Sequence, residues 1–130
     1  MAKLLRKSKK EKVEPEFILY TRKIAEFAAK RKALNIRAYD LRGLTLIADS
    51  FVICSGSSDP HMKAIHASIA EGMKETQVLT RKTEGTYKDA WMIMDYGDII
   101  VHIFREQARA YYDLDGLWGD APELKLALDH

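Results

Sequence analysis

Fourteen consecutive residues, Trp91 to Phe104 (WMIMDYGDIIVHIF), restrict the fold more than any other part of the chain. Two runs of large apolar residues, Trp91–Asp95 and Asp98–Phe104, are separated only by Tyr96-Gly97, which predicts two strands joined by a tight hairpin. A strand sends alternate side chains to opposite faces. Met92, Met94, Ile99, Val101 and Ile103 therefore share one face, wholly apolar, that has to lie under helices. The other face carries Trp91, Ile93, Asp95, Asp98, Ile100, His102 and Phe104. A turn at Tyr96-Gly97 predicts the pairs Asp95 with Asp98, Ile93 with Ile100 and Trp91 with His102. Carboxylates opposed across a hairpin repel unless a cation sits between them, so this second face looks prepared for something the two strands do not supply.

Four occupants suit it. A metal ion would use Asp95, Asp98 and His102 as oxygen and nitrogen ligands, although their spacing matches no strong motif. A second copy of the chain is another, because apolar sheet faces often pair. The third is a basic protein partner anchored on Trp91 and Phe104, and the fourth is the chain's own terminal segment. Charge favours the basic partner. Residues 1–14 carry six bases and two acids, a net of +4, and residues 15–88 are again +4. Residues 89–130 carry three bases and nine acids, a net of −6, with both tryptophans and three of the six tyrosines. An acidic, aromatic surface attracts a basic protein and repels nucleic acid; the same acids would also serve as a plain solubilising face.

The rest of the chain supplies the covering helices. Pro15 marks a first helical turn, and Phe17, Tyr20, Ile24, Phe27 and Ala28 recur at three- and four-residue spacing, predicting an amphipathic helix from Glu16 to about Ala33. Asn35–Leu41 and Ala48–Cys54 are strand candidates, the second ending in the apolar run Phe51-Val52-Ile53-Cys54. Asp59-Pro60 reads as an N-cap and first-turn proline for a helix carrying Met62, Ile65, Ile69 and Met73 on one stripe, up to about Glu75. Gln77–Thr80 is a weaker strand candidate, followed by the turn-rich Thr83-Glu84-Gly85. Glu106–Tyr112 reads as a short helix, and Leu114–Leu128 is too interrupted by Gly116, Gly119 and Pro122 to form one element. The predicted organisation is a basic flexible tail (1–14), one domain (15–122) and a C-terminal tail (123–130); 130 residues suit a single core.

Several function classes find little support. The longest apolar runs are a few residues, so no membrane span is expected, and Met1–Lys7 has no apolar stretch after its charges, so no secretory leader is expected either. One cysteine, Cys54, allows neither an internal disulfide nor a cysteine metal cluster and fits a reducing, cytoplasmic setting. Cys54 ends an apolar strand, where a buried inert thiol is far commoner than a nucleophile served by His61 or His66. His61, His66, His102 and His130 lack metal-ligand spacing. Ser55-Gly56-Ser57-Ser58, between strand and helix, would suit a phosphate, yet it lacks the lysine–threonine pair of a P-loop and the G-x-G-x-x-G spacing. No residue set amounts to a catalytic site, and no cofactor is expected.

Taken together, Asp40-Leu41-Arg42, Asp49 to Ser58 (DSFVICSGSS), Trp91 to Phe104 and Tyr111 to Trp118 (YYDLDGLW) resemble the ribosomal silencing factor family, also called Iojap-like. The resemblance covers about residues 16–121. It implies an α/β domain with a mixed β-sheet flanked by helices, similar to a nucleotidyltransferase core. It further implies a translational repressor that binds the large ribosomal subunit through its ribosomal protein number fourteen and blocks joining of the small subunit when nutrients are scarce, with a part in large-subunit maturation and a homodimer in the free state. Ribosomal proteins are typically basic, so the acidic aromatic third is the natural contact surface, with Trp91, Asp95, Asp98, His102, Tyr112 and Trp118 as contact residues. Trp118 is equally suited to plugging the sheet edge. Weak contact of the 1–14 tail with ribosomal RNA is a further expectation. The alternative is a nucleotide-binding or nucleotidyltransferase-like enzyme using the Ser55–Ser58 loop, but no closely spaced pair of acids follows that loop on the next strand.

Overall fold

The computed structural model describes residues 14–78, 82–86 and 90–128. At its centre lies Ser50–Gly56 (β2), buried at every residue. A continuous apolar run is what a strand covered on both faces requires, and β2 pairs in parallel with Ile99–Arg105 (β5), Ser50 opposite Ile99 and Gly56 opposite Arg105. Leu34–Asp40 (β1) runs antiparallel on the other side of β2, while Trp91–Asp95 (β4) and Lys82–Thr86 (β3) extend the sheet beyond β5. The order is β1-β2-β5-β4-β3, a five-stranded mixed sheet.

Helices Glu16–Lys30 (α1) and Asp59–Glu75 (α2) cover one face. Ile24, Ala28, Met62, Ile65, Ile69 and Met73 pack there on Val52, Cys54, Met92, Met94, Ile99, Val101 and Ile103. Each large side chain removed from water here contributes about 1.5–3 kcal/mol. Glu106–Tyr112 (α3) and the single turn Leu114–Leu117 (α4) lie over the opposite face, where Tyr39, Leu41, Phe51, Ile53, Phe104 and Ala121 form a second cluster. Apart from Asp98, which lies between the two strands, both hairpin faces hold the residues that strand alternation predicts.

The hairpin register differs from the predicted one. Trp91 pairs with Phe104, Ile93 with His102 and Asp95 with Ile100, so Asp95 and Asp98 are not opposed. Tyr96 donates its N–H to the Ile99 carbonyl at 2.8 Å, which moves the turn one residue on, to Gly97-Asp98. Gly97 has φ +90°, and Asp98 does not share the positive φ; glycine in the first turn position is what such a bend demands. The slip moves each partner by two, an even number, so pairing changed while the faces did not.

Helix ends explain two further differences. The first helix stops at Lys30 rather than Ala33, because Lys32 takes φ +58° while Lys32 and Ala33 return their N–H groups to Ala29 and Ala28. At the end of α2, Gln77 (φ +67°) and Val78 donate likewise to Lys74 and Met73. These are Schellman closures built without glycine. Gln77 and Val78 are thereby spent on a helix end instead of a strand; Leu79 and Thr80, the remainder of that expectation, lie outside the described residues. The outer strand β3 falls instead on Lys82–Thr86, which includes the Thr83-Glu84-Gly85 stretch read as a turn. The N-cap of α2 is Ser58, whose Oγ accepts the His61 N–H at 3.1 Å, not Asp59.

Past α4 the chain turns back along the free edge of β1. Asp40 donates to the Pro122 carbonyl and Leu124 to that of Ala38, both at 2.8 Å, and Tyr39 bridges Glu123. Leu124 and Leu126 pack against the α1/α2 core. The segment after Pro122, expected as a tail, thus shields one sheet edge. The basic tail expected over 1–14 lies outside the described residues except for Glu14.

Candidate functional site

The second hairpin face is covered unevenly. His102 and Phe104 on β5 are buried, at 5% and 0% exposure, beneath α3 and the segment that follows it, whereas Trp91, Ile93 and Asp95 on β4 stay half-exposed. The chain's own terminal segment therefore covers β5 and leaves β4 open. His102 was expected as a contact residue; its burial makes it a support instead. The Trp91 indole N–H donates to His102 Nδ1 at 3.1 Å. A nitrogen that accepts carries no proton, so the neutral ring holds its proton on Nε2. That buried atom has no hydrogen-bond partner among the described residues. Burial pushes the imidazole down to about 4, with Asp115 opposing weakly, and the ring stays neutral through the physiological range.

Aromatic rings continue the surface on either side. Trp91 lies 4.8 Å from the Phe104 ring and 4.8 Å from Tyr112, and Tyr112 meets Tyr111 edge-on at 5.1 Å. Tyr111 is 81% exposed and Tyr112 49%. Behind them Phe51 packs on His102 at 4.5 Å and on Trp118 at 5.9 Å. Trp118 is half-buried in this cluster, so the plug is the role its geometry favours. Asp95 and Asp98 stand apart, near the hairpin tip, about 13 Å along the strand from Trp91 at strand spacing. Asp95 Oδ1 accepts the Gly97 N–H at 2.7 Å, and the exposed Asp98 uses its carbonyl to accept from Asp49 and Ser50. The metal reading fails: Asp95 supports the turn, His102 Nδ1 is taken by Trp91, and no group of three metal-ligating side chains gathers among the described residues.

One element of the site lay beyond sequence reasoning. Arg109 on α3 is 7% exposed and reaches across the sheet end. Its Nε and Nη2 donate to the Asp115 carboxylate at 2.9 and 3.1 Å, and its Nη1 donates to the Asn35 carbonyl at 2.6 Å and Ser55 Oγ at 3.0 Å. Tyr39 Oη donates to the same carboxylate at 2.9 Å. Burial alone would raise the Asp115 carboxyl, but the Arg109 and Tyr39 hydrogen bonds outweigh it and hold it below its usual range. This network ties α3, which carries Tyr111 and Tyr112, and α4, which Trp118 follows, to β1 and β2. Nothing in the spacing of a lone arginine signals such burial; Tyr111, beside Tyr112, was within reach of the pattern.

Cys54 and the Ser57-Ser58 pair have structural surroundings. Burial pushes the Cys54 thiol up to about 12, so almost none of it is thiolate at neutral pH. In the Ser55–Ser58 loop, Ser57 N–H donates to His61 Nδ1 at 2.9 Å and Ser58 Oγ accepts the His61 N–H as the cap of α2, so both residues serve the protein's own helix. A depression of about 720 Å³ elsewhere is lined largely by Ile36, Leu124, Leu126 and Leu128, between α1 and the C-terminal segment. Arg22, Glu123 and Lys125 also line it, and Arg22 Nε donates to the Lys125 carbonyl at 3.1 Å.

A sequence profile of the family described as "Ribosomal silencing factor during starvation" matches residues 14–130. The chain belongs to the ribosomal silencing factor family. Family membership extends through the C-terminal segment that borders β1, beyond the stretch on which the resemblance was drawn. A ribosomal silencing factor RsfS of Bacillus subtilis is 42% identical over 92 residues, covering 71% of this chain and 78% of that protein. The chloroplastic Iojap protein of Zea mays is 29% identical across 89% of this chain and half of its own length. Among solved structures, a Chromobacterium violaceum protein superposes with a TM-score of 0.77 at 27% identity, covering 88% of this chain and 95% of its own. One from Bacillus halodurans gives 0.72 at 29% identity, covering 86% and 100%. The chain shares its mixed sheet flanked by helices with these two solved structures.

Proposed function

We propose that this chain is a non-enzymatic translational repressor. It binds the large ribosomal subunit through ribosomal protein number fourteen and keeps the small subunit from joining, which slows translation under nutrient limitation. The observation that carries the reading is Trp91: a half-exposed indole, hydrogen-bonded to His102 and packed at a tilt on Tyr112, in the acidic third of a ribosomal silencing factor family member. Large rigid aromatic groups flanked by charge are the anchors of protein interfaces. Asp95 and Asp98 meet Lys or Arg of the partner, and Tyr112 extends the buried area. The mechanism needs only a stable interface of standard size, about 800 Å² per partner, because excluded volume does the rest. No helix among the described residues is long and apolar enough to cross a membrane; the place of action in this reading, beside the ribosome, is the cytoplasm. A free homodimer and weak contact of the 1–14 tail with ribosomal RNA complete the proposal.

The test is co-sedimentation of the chain with large subunits, followed by addition of small subunits. Retention on the large subunit and loss of joined ribosomes are expected. Trp91→Ala should weaken binding by more than about 1 kcal/mol without unfolding the domain. Unchanged binding would remove Trp91 from the interface. The rival enzyme reading predicts saturable micromolar binding of ATP or CTP with magnesium in calorimetry, and none is expected here, since Ser57 and Ser58 already serve α2.

A further inference from the structure

The segment joining β1 to β2 presents Leu44, Leu46 and Ile47 to water at 52%, 105% and 65% exposure. Its conformation is built: Leu44 and Thr45 donate their N–H groups to the Leu41 carbonyl at 2.9 and 3.3 Å, and Ile47 N–H donates to Thr45 Oγ1 at 3.2 Å. Both feet are buried, Leu41 at 0% and Ala48 at 6%. An ordered loop that holds three branched aliphatic side chains in solvent forgoes the burial such groups favour, and an occupant that covers them recovers it.

Position and charge identify that occupant. Leu41 and Ala48 belong to the cluster that contains Phe51 and packs against Trp118 and Trp91. Asp49 and Ser50, the loop's exit, donate to the Asp98 carbonyl at 2.8 and 3.1 Å, so the loop adjoins the hairpin tip. Its one base is committed, because Arg42 forks onto Asp40 and stacks 4.8 Å over Phe17. The apolar tip is thus bordered by Asp49 and Asp98. A lipid headgroup layer or a nucleic-acid backbone, both anionic, would be repelled. A two-fold pairing of this loop with itself would set these acids against their own copies.

We infer that Leu44, Leu46 and Ile47 form a second contact of the docking surface, seating in an apolar depression rimmed by Lys or Arg on the same basic protein. The inference rests on the proposed function. Trp91 anchors one end of the interface and the loop the other, with Asp98 between them.

The full chain carrying Leu46→Ser and Ile47→Ser, titrated against large subunits by co-sedimentation, should bind at least about tenfold more weakly. Its thermal midpoint should not move, because both side chains are exposed. Should the double variant melt lower, Leu46→Ser alone carries the test, with a weakening of about threefold expected. Unchanged affinity in a chain that Trp91→Ala does weaken overturns the loop contact and leaves the proposed function standing. If neither substitution matters, both the loop contact and the Trp91 surface fall. A variant that keeps large-subunit affinity but passes from dimer to monomer in sedimentation velocity assigns the loop to a second copy and overturns the inference.

Discussion

His102 is where a single residue decides the state of the candidate surface. Its imidazole accepts from Trp91 only when Nδ1 is unprotonated, and burial holds the folded-state value near 4 against an ordinary value near 6.5. At pH 7 the folded ring is neutral and the unfolded ring mostly so, and the linkage penalty is small. As pH falls below 6.5 the unfolded chain takes up a proton that the folded chain refuses, and stability declines until about pH 4. The loss approaches about 3 kcal/mol in total. Denaturant melts between pH 7 and 4.5 should show the decline, and His102→Gln should reduce it to the part that belongs to half-buried His66, whose value burial also lowers. The same slope in the variant would assign the loss to other groups. Asp115 is separable, since its lowered value places its own loss at lower pH, below the ordinary carboxylate range.

At the scale of elements, alternation made both hairpin faces legible, because a buried strand advertises its period directly in Met92, Met94, Val101 and Ile103. Pairing was not legible to the same depth. Tyr96-Gly97 and Gly97-Asp98 both offer glycine to a tight turn, and the choice went to the frame that pairs Tyr96 with Ile99 in the core. The helix ends were hidden for a different reason. Glycine normally signals a left-handed closure, but here Lys32 and Gln77 adopt it because the buried Ala33 and the core-packed Val78 pull the chain back onto the sheet. A left-handed conformation costs a side-chain-bearing residue about 1–2 kcal/mol, and glycine's extra chain entropy takes back part of the relief. Lys32→Gly and Gln77→Gly should therefore each stabilise the domain by about 0.5–1 kcal/mol, read as a higher midpoint in urea. A lower midpoint would mean that the lost side-chain contacts outweigh the backbone relief.

For the whole molecule, segregation of charge is the property with the widest consequence. The net +4 of residues 15–88 and the −6 of residues 89–130 give the chain a dipolar character that its total of +2 conceals. A repressor docked on protein through its acidic third releases few counterions. Its affinity for large subunits should fall by less than about tenfold between roughly 50 and 200 mM salt. A fall of about a thousandfold or more would instead mark binding to ribosomal RNA phosphates, through the basic tail and the bases Arg22, Lys23, Lys30 and Arg31 on and at the end of α1. Those two outcomes distinguish which end of the molecule makes the attachment.

Local periodicity and composition were sufficient for the α/β character, the two long helices, the central strands and the sorting of the hairpin into a core face and a mixed face. Each of these depends on residues a few positions apart, and water enforces the pattern wherever it occurs. Tertiary structure alone decided that His102 lies inward beneath Trp91, that Arg109 reaches Asp115, Ser55 and Asn35, and that Leu124 borders β1. It also decided that Asp95 supports a turn rather than a metal. Those outcomes join groups as many as 86 residues apart, as Ala38 and Leu124 are, and no local pattern records which distant side chain will fill the space left beside a given one.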